Sequence, residues 1–591
     1  MKPSTEQRRR VRRIVPVIAL AALAFLIGAI VGSGHGSSPQ LAVAEQFAKA
    51  WTRGDYATMY EDVDDASQRE MSASAFADAY RTAARTATET SLRLTGGARE
   101  DAHGLISVPM HVDTRLWGEL AETLEMSIGN SGGGARVLWS HSLVFPGLRA
   151  GESLSRNVTL PPRAELLARD GSILADGQAT AAGTRDSPLG AAAAGVIGEV
   201  GPVPSSRVEE LGALGVPAAA IVGVSGLELA LDDRLRGTPG GQLLAGERVL
   251  ASVSPKPSPA VHTTISPSVQ RAAAEALGGQ LGGIVAMDPA SGQILAVAGI
   301  GIDDLQPPGS TFKMVTVTAA LEAKLASKKS VFPYATSATL DGVKLENANG
   351  ESCGGSLALA FAVSCNSVFA PLGVKVGAPR LVATAEGLGF NHPTGLPGAV
   401  ESTLPAADQI QGELDVGSTS IGQGEVQASA LQMLRIAATV ADGGRRPAPT
   451  FEVRHASPVR VMSAATARTV RSLMIGVVRE GTGTSAAIPG VVVAGKTGTA
   501  ELGAPACPSK SEHGGESEEP GTTSETEKQS SENCSTGSND PQNTDAWFAA
   551  FAPALHPRIA VGVLLVKDGA GGETAAPVAR QVLEAGLHRE A

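Results

Sequence analysis

The chain has 591 residues, of which 43% are hydrophobic and 18% are charged, a composition typical of folded globular protein. This length exceeds what a single hydrophobic core supports and predicts three or four folded units. The formal net charge of −11 gives the chain as a whole no electrostatic reason to bind nucleic acid.

The N-terminus combines a cluster of arginines with an uncharged apolar run. Five arginines lie within residues 1–13, and residues 14–32 (IVPVIALAALAFLIGAIVG) contain no charge. As a helix this run would span about 28 Å, close to the hydrocarbon core of a bilayer. The arginines predict a cytoplasmic basic tail, a single-pass anchor in the cell membrane and an extracellular remainder. The alternative is a cleaved signal peptide, whose apolar region is normally shorter and ends at a recognisable cleavage site.

Residues 41–148 predict a compact α+β module. Their first stretch, LAVAEQFAKAWTRGDYATMYEDV, has apolar residues at helical spacing on either side of a break at Gly54. Two alternating stretches, GLISVPMHV and ARVLWSHSLVF, predict strands. Three of the four tryptophans lie in this segment, which gives it the material for a core.

A second region covers residues 150–258, and a third begins at residue 261. In RAELLARDGSILADG, the Asp170-Gly171 pair between two apolar stretches predicts a hairpin, and GVSGLELALDDRLRGTPGG predicts an amphipathic helix ending at Gly237. The third region opens with VHTTISPSVQRAAAEAL, which predicts a strand and then a helix with a Ser-Pro start. GGIVAMDPASGQILAVAG follows and predicts a strand–turn–strand hairpin.

Residues 503–544 are rich in Ser, Glu, Gly and Thr and almost free of large apolar side chains. Such a segment cannot bury enough surface to order itself, so we expect a disordered acidic insertion. The alternative is that its glutamates bind cations or a basic partner.

The chain has four cysteines, Cys353, Cys365, Cys507 and Cys534. All lie on the predicted exported side, where disulfides persist. Three pairings are possible, and the absence of Cys-x-x-Cys or nearby histidine argues against a metal site.

The stretch PPGSTFKM places Ser310 three residues before Lys313, directly after a Pro-Pro-Gly break that predicts a helix start. A serine hydroxyl is a weak nucleophile until a base removes its proton, and an ordinary lysine is protonated at pH 7. Spacing of i, i+3 on a helix brings the amine to the hydroxyl, and burial with a second cation nearby lowers the pKa of a lysine. The pair therefore predicts a nucleophile and its base.

A second motif lies in VVVAGKTGTA, where Lys496, Thr497, Gly498 and Thr499 end a β-branched run. An amine and hydroxyl groups on an exposed strand edge can hold a carboxylate, and Gly498 would let a bound chain approach the backbone. The backbone N–H groups of Thr499 and Ser310 are candidates for an oxyanion hole.

A third motif, Ser364-Cys365-Asn366, lies between the other two in AFAVSCNSVFA. We expect Ser364 to relay a proton, and Asn366 to hold a substrate amide while contacting the lysine. Each motif alone is common by chance, but the three in this order on an exported chain form a specific combination.

With these motifs the sequence resembles the monofunctional (class B) penicillin-binding transpeptidases. RAELLARDG and GVSGLE resemble the first and last segments of that family's pedestal domain, with Ala164 where glycine is usual. TSIGQGEVQASALQMLRIAATVADGG and DAWFAAFAP resemble parts of its catalytic domain. The Trp-x-x-Gly-Asp-Tyr opening resembles the nuclear-transport-factor-like N-terminal domain of penicillin-binding proteins related to methicillin-resistance determinants. The acidic insertion departs from the family pattern, and it bears on substrate access because it directly follows Lys-Thr-Gly.

The resemblance implies a multidomain α+β fold behind the transmembrane helix. The expected domains are a nuclear-transport-factor-like domain at 41–148, an elongated dimerisation-type pedestal at 150–258 and a transpeptidase domain at 261–591. The last is expected to have the serine β-lactamase/transpeptidase-like architecture, an antiparallel sheet flanked by helices. The Ala-, Gly- and Arg-rich composition favours an actinobacterial source.

The resemblance also implies a D,D-transpeptidase that cross-links peptidoglycan stem peptides through a serine acyl-enzyme and is inhibited covalently by β-lactams. Ser310 would be the nucleophile and Lys313 the base. Ser364 would protonate the departing D-Ala, and the Lys-Thr-Gly-Thr motif would hold its carboxylate. No metal or organic cofactor is implied. The implied partners are stem peptides, membrane lipid and a polytopic glycan polymerase.

Three alternatives share part of this pattern. A D,D-carboxypeptidase would use water as the acceptor, and a β-lactamase would turn β-lactams over, although its chain is far shorter. A non-catalytic activator or scaffold of a glycan polymerase would leave the site dormant, although every catalytic side chain is present.

Overall fold

A computed structural model of the chain describes residues 38–177, 182–453, 457–502 and 543–588. The predicted basic tail and anchor, nearly all of the acidic insertion, and Cys507 and Cys534 lie outside the described residues. Within the described ranges, no helix is both long and apolar enough to span a bilayer.

The chain divides into two compact units. The N-terminal unit extends to Pro161 and adds Val203–Ala220 and Thr238–Lys256; the C-terminal unit comprises Pro162–Pro202, Ile221–Gly237 and everything from Pro257 onward. Residues 150–258 therefore contribute to both units.

The described α-helices are α1 (Pro39–Thr52), α2 (Tyr56–Glu61), α3 (Asp65–Glu70), α4 (Ala73–Ala87), α5 (Ala191–Ile197), α6 (Val208–Ala213), α7 (Gly226–Ala230), α8 (Asp232–Arg236), α9 (Pro267–Leu277), α10 (Lys313–Glu322), α11 (Leu357–Ala362), α12 (Asn366–Val376), α13 (Ala378–Gly387), α14 (Gly412–Ser420), α15 (Ala430–Ala441), α16 (Ala464–Glu480) and α17 (Ala575–Leu587). The described strands are β1 (Glu89–Leu94), β2 (Arg99–Glu100), β3 (Leu105–Thr114), β4 (Gly118–Ser131), β5 (Gly134–Leu138), β6 (Leu154–Thr159), β7 (Leu166–Leu167), β8 (Ile173–Ala175), β9 (Val200–Pro202), β10 (Ile221–Gly223), β11 (Gly240–Ala245), β12 (Arg248–Val253), β13 (Val261–His262), β14 (Gly282–Met287), β15 (Ile294–Gly299), β16 (Val331–Ala335), β17 (Ser337–Leu340), β18 (Val343–Glu346), β19 (Cys353–Ser356), β20 (Arg445–Arg446), β21 (Val459–Arg460), β22 (Ala494–Glu501), β23 (Thr544–Ala552) and β24 (Ile559–Leu565).

The N-terminal unit packs helices against an antiparallel sheet of order β1-β3-β4-β5, with β2 paired to β3. The predicted helices α1 and α2 are confirmed, and Gly54 between them has a φ of 69°. Every second side chain of β3 is buried, as the alternating sequence predicts. The strand predicted through residue 145 is wrong beyond Leu138. The chain leaves the sheet there and forms a 3₁₀ turn at His141–Val144, while the indole of Trp139 donates to the Tyr80 hydroxyl at 3.1 Å.

A second sheet of the N-terminal unit has the order β12-β11-β6. Leu243 and Ala245 of β11 are fully buried in the same core as the aromatic residues of α1 and α4. The two sheets of this unit therefore share one hydrophobic core.

The C-terminal unit is built on a five-stranded antiparallel sheet of order β15-β14-β24-β23-β22. The predicted β14–β15 hairpin, the Pro267 start of α9 and the hairpin at Asp170-Gly171 are confirmed. Helices α9 and α17 cover one face of the sheet, and α15 covers the other. In β23 the side chains of Phe548 and Phe551 lie in different cores. Burial on both faces explains why DAWFAAFAP shows no polar alternation.

The predicted helix in GVSGLELALDDRLRGTPGG is two short helices, α7 and α8, because Leu231 between them leaves the helical conformation. The predicted end at Gly237 is confirmed. This break adjoins two buried acidic residues, Glu228 and Asp232, of which 0% and 2% of the surface is exposed.

Buried arginines neutralise these acidic residues. Arg163 donates to Glu228 at 2.6 Å and to Asp232 at 2.8 Å, and Arg185 donates to Glu228 at 2.7 Å. Arg236 forms a further ion pair with Asp232. Ion pairs of Arg163 thus join the first segment of the pedestal-like region to α7 and α8.

We expect Glu228→Gln to lower the free energy of unfolding by about 3–5 kcal/mol, because buried Arg185 would lose its carboxylate and buried Arg163 would keep only Asp232. Urea unfolding of the purified protein measures the change. Glu452→Gln is the matched control, since Glu452 pairs with Arg234 at 3.1 Å on the surface and should cost less than about 1 kcal/mol. Equal stability of the two variants would contradict the importance of the buried network.

Candidate active site

Ser310 lies on a 3₁₀ turn, Gly309–Phe312, that leads directly into α10 at Lys313. The predicted helix start is therefore a tighter turn than expected, but residues i and i+3 of a 3₁₀ turn still share one side. Lys313 is fully buried, whereas Ser310 is half-buried. Among the described residues, none forms a side-chain hydrogen bond with the Ser310 hydroxyl, which leaves it available to a substrate.

Two glycines set the distance between this turn and strand β22. Gly309 has a φ of 50°, and a Cβ there would meet the Thr499 carbonyl oxygen at 2.6 Å. A Cβ on Gly498 would meet the Pro308 carbonyl oxygen at 2.8 Å. The sequence predicted that Gly498 lets a bound chain approach the backbone. In the structure, the space that a side chain at Gly498 would take is occupied by the protein's own serine turn. The two glycines therefore hold Ser310 beside the Lys-Thr-Gly-Thr strand.

The Lys313 amine contacts the middle motif. Its Nζ lies 2.6 Å from the Ser364 carbonyl oxygen, 2.6 Å from Asn366 Oδ1 and 3.2 Å from Ser364 Oγ. The carbonyl and amide oxygens can only accept, so two N–H bonds of Lys313 are directed to them. The remaining position on the nitrogen, a proton or a lone pair, is left for the hydroxyl groups.

The Lys496 amine approaches the same hydroxyl from β22. Its Nζ lies 2.9 Å from Ser364 Oγ and 3.0 Å from the Thr497 carbonyl oxygen. The structure thus brings Lys313, Ser364, Asn366 and Lys496 together, with Ser364 Oγ between the two amines.

Burial governs the charge of both lysines. Desolvation, and then the nearby Lys496 charge, hold the pKa of Lys313 well below its ordinary value of 10.5. Burial lowers the pKa of Lys496 to about 7. In the described part of the chain, neither amine has a carboxylate partner; instead Phe369 and Phe361 present ring faces to them at 5.8 Å and 5.6 Å.

Ser364 occupies an unusual backbone position between α11 and α12, with a φ of 62°. The sequence left three disulfide pairings open, and the structure joins Cys365, next to Ser364, to Cys353 on β19. The side chain of Cys365 is thereby held in the hydrophobic core of the unit. Backbone strain of this kind costs roughly 1–3 kcal/mol and is found where the surroundings fix the conformation.

Sequence reasoning missed Thr482. Its hydroxyl lies 2.6 Å from Thr497 Oγ1, and its N–H donates to the Ala362 carbonyl at 3.1 Å. Thr482 therefore connects β22 to the helix that precedes Ser364. The close approach requires glycine at position 481, since a Cβ there would meet the Ala362 carbonyl oxygen at 2.2 Å. In the sequence, the Gly-Thr-Gly run after α16 indicates a turn but does not indicate its partner.

Within the described ranges, no group of three or more His, Cys, Asp or Glu residues is arranged to hold a metal ion. What the site offers is a nucleophilic hydroxyl, two amines of lowered pKa and a shared relay hydroxyl. The fold and these groups together define a class of serine enzymes that form an acyl intermediate with lysine as the base.

Comparison with known proteins identifies the family within that class. Family models match three segments: the penicillin-binding protein transpeptidase domain at residues 282–514, the NTF2-like N-terminal transpeptidase domain at 39–152 and the penicillin-binding protein dimerisation domain at 178–248. The chain belongs to the class B penicillin-binding proteins.

Similar proteins occur in mycobacteria. The chain is 32% identical over 399 residues to peptidoglycan D,D-transpeptidase PbpA of Mycobacterium tuberculosis, covering 56% of this chain and 73% of that protein. The PbpA of Mycolicibacterium smegmatis is 31% identical, with 55% and 72% covered. The crystal structure of PBPA from Mycobacterium tuberculosis aligns with a TM-score of 0.54 at 28% identity, covering 72% of this chain and 99% of that one. Its penicillin G acyl-enzyme complex aligns with a TM-score of 0.52 at 28% identity, covering 72% and 100%.

We expect Lys496→Met to stabilise the protein most at low pH. An unfolded lysine keeps its proton up to about pH 10.5, whereas folded Lys496 loses it at about pH 7, so stability rises with pH across this window. The penalty of burying the charge is complete below pH 7 and disappears near pH 10.5. The advantage of Lys496→Met should therefore be about 3–5 kcal/mol at pH 6 and shrink steadily at higher pH.

Urea unfolding of wild type and Lys496→Met at pH 6 and pH 9 measures this change. Lys375→Met, at an exposed position on α12, is the control and should show no pH-dependent advantage. The same pH dependence in both variants would show that Lys496 is not held in its neutral form by burial.

Proposed function

We propose that the protein is a peptidoglycan D,D-transpeptidase that works through an acyl-enzyme on Ser310. The single observation that carries this proposal is the meeting of two fully buried amines at Ser364 Oγ, next to the serine turn. The relatives named as D,D-transpeptidases and the solved β-lactam acyl-enzymes of a structural neighbour support it.

The first half of the reaction is acylation. Ser310 Oγ attacks the carbonyl carbon of the penultimate D-Ala of a stem peptide, and neutral Lys313 takes the hydroxyl proton. The backbone N–H groups of Ser310 and Thr499 are the candidate donors to the oxyanion. When the C–N bond breaks, the proton passes from Lys313 through Ser364 to the departing D-Ala nitrogen. The short contacts around Ser364 Oγ provide this route.

The second half transfers the acyl group. An amine from a neighbouring stem peptide attacks the ester carbonyl and loses a proton to the same relay. The relay returns a proton to Ser310 Oγ as its bond to the carbonyl carbon breaks. Lys496, Thr497 and Thr499 bind the terminal carboxylate of the donor peptide during the first half. A β-lactam carries a carboxylate and a strained amide in similar positions, so it acylates Ser310 and then stays attached.

We expect Ser310→Ala to abolish covalent labelling by a fluorescent penicillin, because the other hydroxyl of the turn, that of Thr311, is buried and donates to the Pro308 carbonyl oxygen at 2.6 Å. Gel fluorescence, with mass spectrometry of the labelled peptide, measures this. Ser330→Ala, whose serine hydroxyl accepts a hydrogen bond from Ser327 at the surface, is the matched control and should label normally. Labelling that persists in Ser310→Ala would remove this residue as the nucleophile.

Product analysis then identifies the acceptor. With a D-Ala-D-Ala-ended peptide and an amine acceptor, a transpeptidase forms the new amide, whereas a D,D-carboxypeptidase forms only the shortened acid. Continuous turnover of the penicillin would favour a β-lactamase, and growth supported by Ser310→Ala would favour a scaffold.

We also propose that residues 14–32 anchor the protein in the cell membrane, with the basic tail in the cytoplasm and the catalytic unit outside. The uncharged apolar run behind five arginines supports this topology. Contact with a polytopic glycan polymerase is proposed on the family resemblance.

We expect the full chain to sediment with membranes and to resist extraction at high salt, because its anchor would lie in the hydrocarbon core. A chain lacking residues 1–37 should be found in the soluble fraction under the same conditions. Fractionation followed by immunoblotting measures both. Equal membrane retention of the shortened chain would contradict the anchor.

A further inference from the structure

Helix α12 starts at Asn366 in the catalytic motif, but its own N-cap residue does not cap it. The N-cap is Cys365, whose side chain forms no capping hydrogen bond and is committed to the disulfide with Cys353. The first N–H groups of a helix need acceptors, and a serine, threonine, aspartate or asparagine normally supplies one from the N-cap position. The helix that carries the motif therefore obtains its cap from elsewhere.

Asn347, in the loop after β18, supplies that acceptor. Its Oδ1 accepts from the Ser367 N–H at 2.8 Å, across 20 positions of sequence. Its Nδ2 donates to the carbonyl oxygens of Ala335 and Glu351, both at 2.8 Å, and lies 3.1 Å from Ser367 Oγ. Only 5% of its surface is exposed. One buried amide thus ties the loop to the first turn of α12.

The neighbouring residue orients the motif asparagine. The Glu346 carbonyl oxygen accepts from Asn366 Nδ2 at 2.8 Å. A carbonyl accepts only from a donor, so the NH₂ side of the Asn366 amide is directed to the loop. The oxygen side then faces Lys313 Nζ at 2.6 Å. The loop at 346–347 therefore determines both the position of Asn366 and which atom it presents to the lysine.

We propose that Asn347 is a positioning residue for acylation, which caps α12 from outside and so fixes Ser364 and Asn366 against Lys313. The inference rests on the proposed function of the site. Two of the positions around Lys313 Nζ are directed to oxygen acceptors, so one remains for the reacting hydroxyl. A small displacement of a reacting group can lower the rate about a hundredfold.

The competing interpretation is that Asn347 only stabilises the loop. The two roles depend on different atoms, because Oδ1 caps the helix whereas Nδ2 holds the loop carbonyls. Asn347→Asp keeps an oxygen for the Ser367 N–H and loses the donors to the loop. Asn347→Leu has a similar shape and loses both. Stability and acylation are therefore separable with two variants of one residue.

The experiment measures the second-order rate of penicillin acylation and the melting temperature of each variant. We expect Asn347→Leu to acylate roughly 10–100-fold more slowly than wild type. Asn347→Asp should stay within about threefold of wild type while melting as low as Asn347→Leu. Asn391→Leu is the matched control, since Asn391 also joins two backbone groups, the N–H and carbonyl of Leu404, and should change only the melting temperature.

A double-mutant cycle with Asn366→Ala completes the test. If Asn347 acts through Asn366, the Asn347→Leu change should slow the Asn366→Ala protein by no more than about twofold further. Fully additive losses, or equal rates for the Asp and Leu variants, would overturn the proposal.

A crystal structure of Asn347→Leu gives a readout that does not depend on labelling. The proposal expects Asn366 Oδ1 to leave hydrogen-bonding distance of Lys313 Nζ, and an unmoved motif would overturn it. An absence of labelling in the wild type would instead contradict the proposed function, while the crystal structure would still decide the positioning role.

Discussion

The proposed chemistry of this protein depends on keeping two lysine amines in a site where water cannot solvate their charge. Lys313 and Lys496 are both fully buried, and Ser364 Oγ lies between them at 3.2 Å and 2.9 Å. A protonated amine in water is a poor base, and two neighbouring charges in a low-dielectric interior repel each other strongly. Burial lowers the pKa of both amines, and the nearby Lys496 charge lowers the pKa of Lys313 further, so both lose a proton more readily than a lysine in water. The remaining features of the catalytic unit maintain this arrangement.

The fold maintains it by close contacts between backbones. The serine turn reaches β22 only because Gly309 and Gly498 have no side chains, and the loop before Thr482 reaches the end of α11 through Gly481. These contacts are backed by strands buried on both faces, so the edge strand that carries Lys496 cannot shift independently of the two cores. Close packing of this kind resists small displacements. This matters at the site because the strength of a hydrogen bond depends on its donor–acceptor distance.

The sequence predicted which residues meet at the site better than it predicted the residues that hold them in place. Ser-x-x-Lys, Ser-x-Asn and Lys-Thr-Gly are local patterns, and each was visible without knowledge of the fold. The β14–β15 hairpin and α9 were also predictable, because periodicity and turn residues act over short range. Thr482 and Asn347 were not, since each acts on a residue 15 to 20 positions away and neither belongs to a periodic pattern. Leu231 shows the opposite failure, where an amphipathic pattern predicted one helix and the structure has two, separated at a residue that adjoins a buried charge network.

The residues around the site matter because the site itself lowers the stability of the folded state. Two amines that have no carboxylate partner among the described residues, and a serine at a φ of 62°, all oppose folding at the same place. Such a site keeps its geometry only if its surroundings leave it no lower-energy alternative. On the side of the middle motif, those surroundings are the Cys353–Cys365 disulfide and the buried amide of Asn347. One fixes the residue after Ser364, and the other fixes the residue after Asn366. The motif is thus held at its middle residue and directly after its last, and Lys313 meets its acceptors in a single arrangement.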